Sequence, residues 1–380
     1  MTRIGKKGLL LILVLLFCPL IPGGFAFGQS THKVTRSGDL FPPHTTFPPP
    51  TSWQDLNYLG LSEEKPFTLG DIQADLVLLE LLNIYCTSCQ KQGPIYNEVF
   101  DLVKRDPITK DKVKWMGVGV GNNETEVAFF RKEKGIPFPI LPDLHFDLYQ
   151  AIGGPGGIRT PLTLLIRKDK RGRGIVVASH TGFRGNKGEL LDEIRATLQY
   201  DLALLKMEKG KRMVLPATGK LKPPIADEEL LKRIEEGMAP PGGVVKEIRR
   251  IPPQKQYLYL GKVEVKDEKK YYFAKAVSWP PFCDICRDIH FVYVFDEEAR
   301  ITNFIPIHLP KGYNKVWDKR DIEAMKIRLI GRSLLKPFEF NHHVDAVSGA
   351  TITSVAIFHR LNEGKEAYTR LMRQGVIRVE

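Results

Sequence analysis

After its first 28 residues the chain has no apolar run long enough to span a bilayer, which takes about 20 residues. It has no internal repeat. It has no basic arm either, since the net charge of +12 is spread along the 380 residues. Without a basic groove studded with aromatics, nucleic acid is not expected as a partner. Cysteine is scarce, at five residues. Of its two Cys-x-x-Cys pairs, Cys283/Cys286 is ruled out as a c-type haem site, since Arg287 follows Cys286 where that attachment would need His. An apolar fraction of 43% is that of a globular protein, and the length suits two domains of ordinary size.

The first 28 residues set the compartment. Arg3, Lys6 and Lys7 precede an apolar stretch from Leu9 to Leu20, and small residues follow at Gly24, Ala26 and Gly28. This is the pattern of an export signal, either cleaved or kept as an N-terminal anchor. Cys18 is preceded by the bulky Phe17, which argues against a lipoprotein signal. The expected location is periplasmic, or the extracytoplasmic face of a membrane.

One cysteine leaves with such a leader. The other four form the pairs Cys86/Cys89 and Cys283/Cys286. In an exported chain this arrangement points to thiol–disulfide chemistry or to stapling. Around the first pair, strand and helix patterns alternate. Leu76–Leu82 reads as a buried strand and Val113–Val120 as the next. A helix begins near Cys86 and runs past Pro94, and Glu124–Lys134 makes another. Leu162–Arg167 and Ile175–His180 make a hairpin, closed by a helix over Lys187–Gln199. The prediction is a mixed sheet with helices on both sides over residues 59–200.

Chemistry follows from these positions. A thiol at a helix N-terminus is favoured as thiolate, so Cys86 is the attacking group and Cys89 the buried resolving one. Glu80, on the strand beneath, is placed to take the proton of Cys89. Thr160-Pro161 suits a cis-proline loop against the pair. These features resemble the thioredoxin fold, and within it the exported reductases of the TlpA/ResA type. Tyr85 stands where a Trp is usual, and Gln92 where that subgroup often has Glu. A structural disulfide or a zinc half-site is the alternative reading of Cys86/Cys89.

Residues 201–256 read as a Pro-rich linker, interrupted by one amphipathic stretch, Asp227–Glu236, and imply two domains at a variable distance. Strand patterns return over Tyr257–Val265, Tyr271–Ser278, Phe291–Phe295 and Ile301–Leu309. A helix over Asp318–Leu329 follows. Residues 257–380 thus read as an α+β domain. Within it lies Asp345-Ala-Val-Ser-Gly-Ala-Thr-Ile-Thr-Ser354. Small residues Ser348, Gly349 and Ala350 precede the hydroxyl of Thr351 at the start of an apolar helical pattern. That is a seat for a phosphate, or a plain helix-capping turn.

The motif resembles the Asp-x-x-Ser-Gly-Ala-Thr signature of FMN-binding domains in the sodium-pumping NADH:quinone reductase and the Rnf complex. The resemblance implies FMN joined through its phosphate to Thr351, installed by a flavin transferase. It gives Ser348 and Gly349 the task of shaping the loop, and Asp345 that of engaging the transferase or orienting Thr351. His342 and His343, just before it, read as a solvated pair, the alternative being that they reach the phosphate. Cys283/Cys286 is open to three readings: a structural disulfide, a redox pair beside the flavin, or a metal site completed by His290.

Together these features predict an exported electron-transfer oxidoreductase. It would couple a flavin to dithiol chemistry, with a membrane electron-transfer partner or a protein dithiol/disulfide as substrate. The alternative is a thiol–disulfide oxidoreductase whose C-terminal domain is a docking module without flavin.

Overall fold

The computed structural model describes residues 38–153, 159–200, 221–253, 257–281, 286–312 and 315–377, with Leu202 and Cys283. The leader lies outside these residues. No helix among those described is long and apolar enough to cross a membrane.

Two short strands, β1 (Thr46–Phe47) and β2 (Phe67–Thr68), pair on either side of α1 (Trp53–Leu59). They bring Phe41, Phe47 and Phe67 together, with ring centroids 6.3 and 5.4 Å apart along the series. The Phe41 amide donates to the Gly174 carbonyl, and Leu40 bridges Ile175. The first domain therefore takes in residues before 59, at least Leu40, Phe41 and Phe47. Irregular, Pro-rich residues carry its buried aromatics there, so no period in the sequence marks them.

The all-apolar but for Glu80 stretch Leu76–Leu82 is fully buried and forms β3, the centre of a five-stranded sheet. On one side run β4 (Val113–Val120) and β5 (Ile140–Asp143), both parallel. On the other lie β6 (Leu162–Lys168) and β7 (Gly174–Thr181), antiparallel. The order β5-β4-β3-β6-β7 is a thioredoxin-like sheet. Its helices are α2 (Thr87–Arg105), α3 (Glu124–Lys134), α4 (Asp147–Ile152) and α5 (Lys187–Gln199). Successive side chains on a strand point to opposite faces. Leu76, Leu78 and Leu82 join Tyr96 of α2 and Ile194 of α5, whereas Val77, Leu79 and Leu81 join Phe146 and Tyr149. By the same alternation Glu80 falls on the α2 side.

The second sheet is an antiparallel meander, ordered β12-β11-β10-β9-β8. Its strands are β8 (Gly243–Ile251), β9 (Leu258–Val265), β10 (Glu268–Trp279), β11 (Ile289–Asp296) and β12 (Ile301–His308). The helix α6 (Asp227–Met238) covers one face, through Leu230, Ile234 and Met238 against Tyr259, Val263 and Val292. A small pair, β13 (Pro310–Lys311) and β14 (Lys315–Val316), leads to α7 (Lys319–Leu329), α8 (His342–Asp345), α9 (Thr351–Leu361) and α10 (Gly364–Arg373). Met325, Phe358 and Leu371 from these helices pack in the same core as Phe273, Phe291 and Phe295.

The linker reading fails over residues 227–251. β8 pairs with β9 from Gly243↔Val265 to Ile251↔Leu258, and α6 is a buried layer. The Pro and Gly pairs that suggested a spacer are the turns around these elements; Gly242 has φ +81°. Nor do the two halves stand at a variable distance, because residues 33–380 form one compact unit. The ring of His359 on α9 lies 4.2 Å from that of Phe146 and 5.7 Å from that of Trp279. Arg360 stacks on Trp279 at 4.0 Å.

Candidate active site

Cys86 is the residue before α2, in extended conformation, with Cys89 in its first turn. Neither is bridged in the structure and both are buried. Cys86 Sγ lies 3.8 Å from the Thr160 carbonyl oxygen, and the Thr160–Pro161 peptide is cis. The Asn83 amide donates to Cys89 Sγ at 3.5 Å. Burial pushes the Cys89 thiol well up, helped by its hydrogen bond with Cys86 and by the charges of Cys86 and Glu80. Glu80 is buried on the same face and is pushed up to about 8, by desolvation first and then by Cys86. A carboxyl that changes charge near neutrality beneath a thiol that resists ionising can pass a proton at the resolving step.

The departures at Tyr85 and Gln92 have structural accounts. Gln92 is fully buried and closes a reciprocal pair with the Arg184 backbone, accepting at 2.7 Å and donating at 2.9 Å. The Tyr85 hydroxyl donates to Glu126 Oε1 at 2.6 Å, and burial with that carboxylate drives it well above the usual range. His342 Nδ1 meets the same oxygen at 2.8 Å. His342 is therefore held, not solvated, while His343 stays exposed beside it. Glu126 escaped the sequence reading because it looks like an ordinary capping-box residue with Asn123, a role it also fills.

Cys283 and Cys286 form a disulfide, which uses both sulfurs and removes the metal reading. His290 turns away from that role. It is buried with Nδ1 2.9 Å from Ser278 Oγ, and burial pushes it down to about 4. Among the described residues no three His, Cys, Asp or Glu gather as a metal set. Cys283 is itself buried, and its backbone forms a parallel β-bridge with Thr160 of the cis-proline loop. Cys86, Cys89 and Cys283 belong to one apolar cluster, against which Tyr85, Cys286 and Ile352 also pack.

Ile352 follows Thr351, the first residue of α9. The N-cap, Ala350, offers no side-chain acceptor to the helix amides. Gly349 has φ +69° with open space where a β-carbon would stand. The loop is held from beneath. Ser354 Oγ accepts from the Val347 amide and donates to the Ala350 carbonyl, both at 3.1 Å. Thr353 donates to the Pro310 carbonyl at 2.7 Å. Ser348 and Gly349 are exposed and Thr351 is half-buried at the rim. The Asp345 carboxylate, at the end of α8, accepts from the amide of Asn341, the N-cap of the same helix, at 2.8 Å. Asn341, His342, Phe340, Tyr85 and Phe129 line a groove of about 1000 Å³ between the two halves.

No protein-family model matches the chain. It is 28% identical over 120 residues to the thiol-disulfide oxidoreductase ResA of Geobacillus thermodenitrificans (strain NG80-2), covering 31% of this chain and 64% of the relative. To the ResA of Geobacillus kaustophilus (strain HTA426) it is 28% identical over 114 residues, covering 30% and 60%. The chain thus spans less than two thirds of the length of these curated relatives. Among solved structures, a putative thiol:disulfide interchange protein DsbE from Chlorobium tepidum aligns at 19% identity and TM-score 0.33, over 44% of this chain and 99% of that one. StoA from Bacillus subtilis aligns at 17% and 0.29, over 39% and 95%. By its own sheet order the first half of the chain is a thioredoxin-like domain with a buried Cys-x-x-Cys pair, and it is similar in sequence to the ResA proteins.

Proposed function

We propose that the protein is an exported thiol–disulfide oxidoreductase whose second domain carries FMN on Thr351 and exchanges electrons with the first. The carrying observation is that Cys86 and Cys283 are buried in one apolar cluster, against which Ile352, the neighbour of Thr351, also packs. Similarity to ResA proteins supports the dithiol half of this reading.

In the first half-reaction Cys86, favoured as thiolate by the dipole of α2, attacks a disulfide sulfur of the partner. Its neighbour Cys89 then displaces the partner thiol and closes the Cys86–Cys89 disulfide. Glu80 takes up the proton that Cys89 gives up. The residues around Thr351 fit a phosphate joined through a hydroxyl. The amides of the first turn of α9 have no side-chain acceptor at the N-cap, Gly349 leaves room for close approach, and the hydroxyls of Thr353 and Ser354 are turned inward. The groove lined by Tyr85, Phe340 and His342 has the size of a small-molecule site. When bound, FMN supplies conversion between one-electron and two-electron transfer. That would link a membrane electron-transfer partner to a dithiol. A flavin transferase would install it.

Intact mass of the mature chain co-expressed with a flavin transferase, wild type beside Thr351→Ala, tests the reading. An FMN-sized addition present only in the wild type supports it. No addition in either leaves a thiol–disulfide oxidoreductase with a docking module, the reading favoured by the seating of Cys283 on the cis-proline loop.

A further inference from the structure

We infer that the exchange partner of Cys86/Cys89 is the chain's own Cys283–Cys286 disulfide, and that Cys283 is the sulfur attacked. The inference rests on the oxidoreductase reading of Cys86/Cys89 and not on the flavin. Three observations carry it. The Thr160 carbonyl lies 3.8 Å from Cys86 Sγ, so a backbone paired with Thr160 runs close beside Cys86. The backbone in that position is that of Cys283, which forms an isolated parallel β-bridge with Thr160 across 123 residues of sequence. Cys283 is buried in the same apolar cluster as Cys86 and Cys89, with Cys286 only partly covered at its edge.

A structural staple would need none of this. Cys283–Cys286 spans two intervening residues and closes a very short loop, and little chain entropy is removed by so short a ring.

The step balances within the chain. Cys86 thiolate attacks Cys283 Sγ, forming the Cys86–Cys283 bond and breaking Cys283–Cys286, and Cys286 leaves as thiolate. Cys89, having lost its proton, attacks Cys86, forming Cys86–Cys89 and releasing Cys283. Two electrons pass from the first pair to the second. The two protons lost by Cys86 and Cys89 match those gained by Cys283 and Cys286. Run backwards, the same steps reduce Cys86–Cys89 at the expense of Cys283 and Cys286.

The test uses the full chain with Cys89→Ser and Cys286→Ser, which removes both resolving thiols, oxidised gently with glutathione disulfide and mapped by mass spectrometry without reduction. The expected result is one dominant linked pair, joining the peptide of Cys86 to that of Cys283. Glutathione on Cys86 without that link overturns the inference and leaves the oxidoreductase reading standing. An unmodified Cys86 overturns both. The wild-type chain gives a check that no folding defect can confuse. After partial reduction by dithiothreitol, electrons should redistribute between the two pairs at a rate unchanged by dilution. A rate falling in proportion to protein concentration would mean exchange between molecules and would overturn the internal pairing.

Discussion

The His359 ring lies tilted against that of Phe146, centroids 4.2 Å apart, one residue from each half of the molecule. Burial, with Arg360 and His145 nearby, pushes His359 down to about 3 from an ordinary 6.5. Between those values the unfolded chain holds the proton and the folded chain does not. Stability is therefore complete above 6.5 and is lost on acidification, by about 2 kcal/mol for this group near pH 5. His290, pushed down to about 4, adds in the same direction. The Tm of the wild type should fall between neutral pH and pH about 5, and His359→Leu should flatten that fall. An unchanged pH profile in the variant would remove His359 as its source.

Glu80 gives the opposite slope. Its folded value, raised to about 8, means that stability is present below its ordinary 4.5 and drains as pH rises through 8. Glu80→Gln should stabilise the chain at mildly alkaline pH, by up to about 4 kcal/mol. It should also slow the resolving step, so that mixed disulfides on Cys86 build up. Stopped-flow exchange beside thermal melts would separate the two effects; a variant as fast as wild type would dismiss Glu80 as proton acceptor.

Gly121 sits just beyond β4 with φ +69°. A β-carbon there would come within 2.7 Å of Phe146 and 3.0 Å of Val355 on α9. Gly121→Ala should cost roughly 2–4 kcal/mol through backbone strain and overpacking. Because the clash lies where the halves meet, limited proteolysis should cut the variant faster than the wild type.

Glu126 serves the Tyr85 hydroxyl, His342 and the Asn123 amide at once. Glu126→Leu leaves those donors without their acceptor, and should cost about 2–3 kcal/mol. Exchange at Cys86 should slow as well, since Tyr85 precedes it. Denaturant melts and exchange rates would register both, and an unaffected rate would confine Glu126 to a structural part.

Much of the fold was legible because its signals are local. The run Leu76–Leu82, the capped helix Glu124–Lys134 and the hairpin after Pro161 each declare themselves through period and turn residues. β8 did not. It is an edge strand with Lys246, Glu247 and Arg249 exposed, so alternation is weak and its Pro and Gly flanks look like a spacer. The thiols, Glu80 and the Ser-Gly-Ala-Thr loop could be named from chemistry and resemblance. Their convergence could not, because Thr160 meets Cys283, and Phe146 meets His359, across distances in sequence that no period spans.

The pairing of Thr160 with Cys283 also fixes how the protein competes with its surroundings. A disulfide held on the same chain acts as though present at a millimolar or higher local concentration. Dissolved thiols and disulfides well below that level lose the race for Cys86. On the exchange inferred above, electrons would thereby be insulated from the bulk redox pool, and a foreign substrate would reach Cys86 only by displacing Cys283 from Thr160.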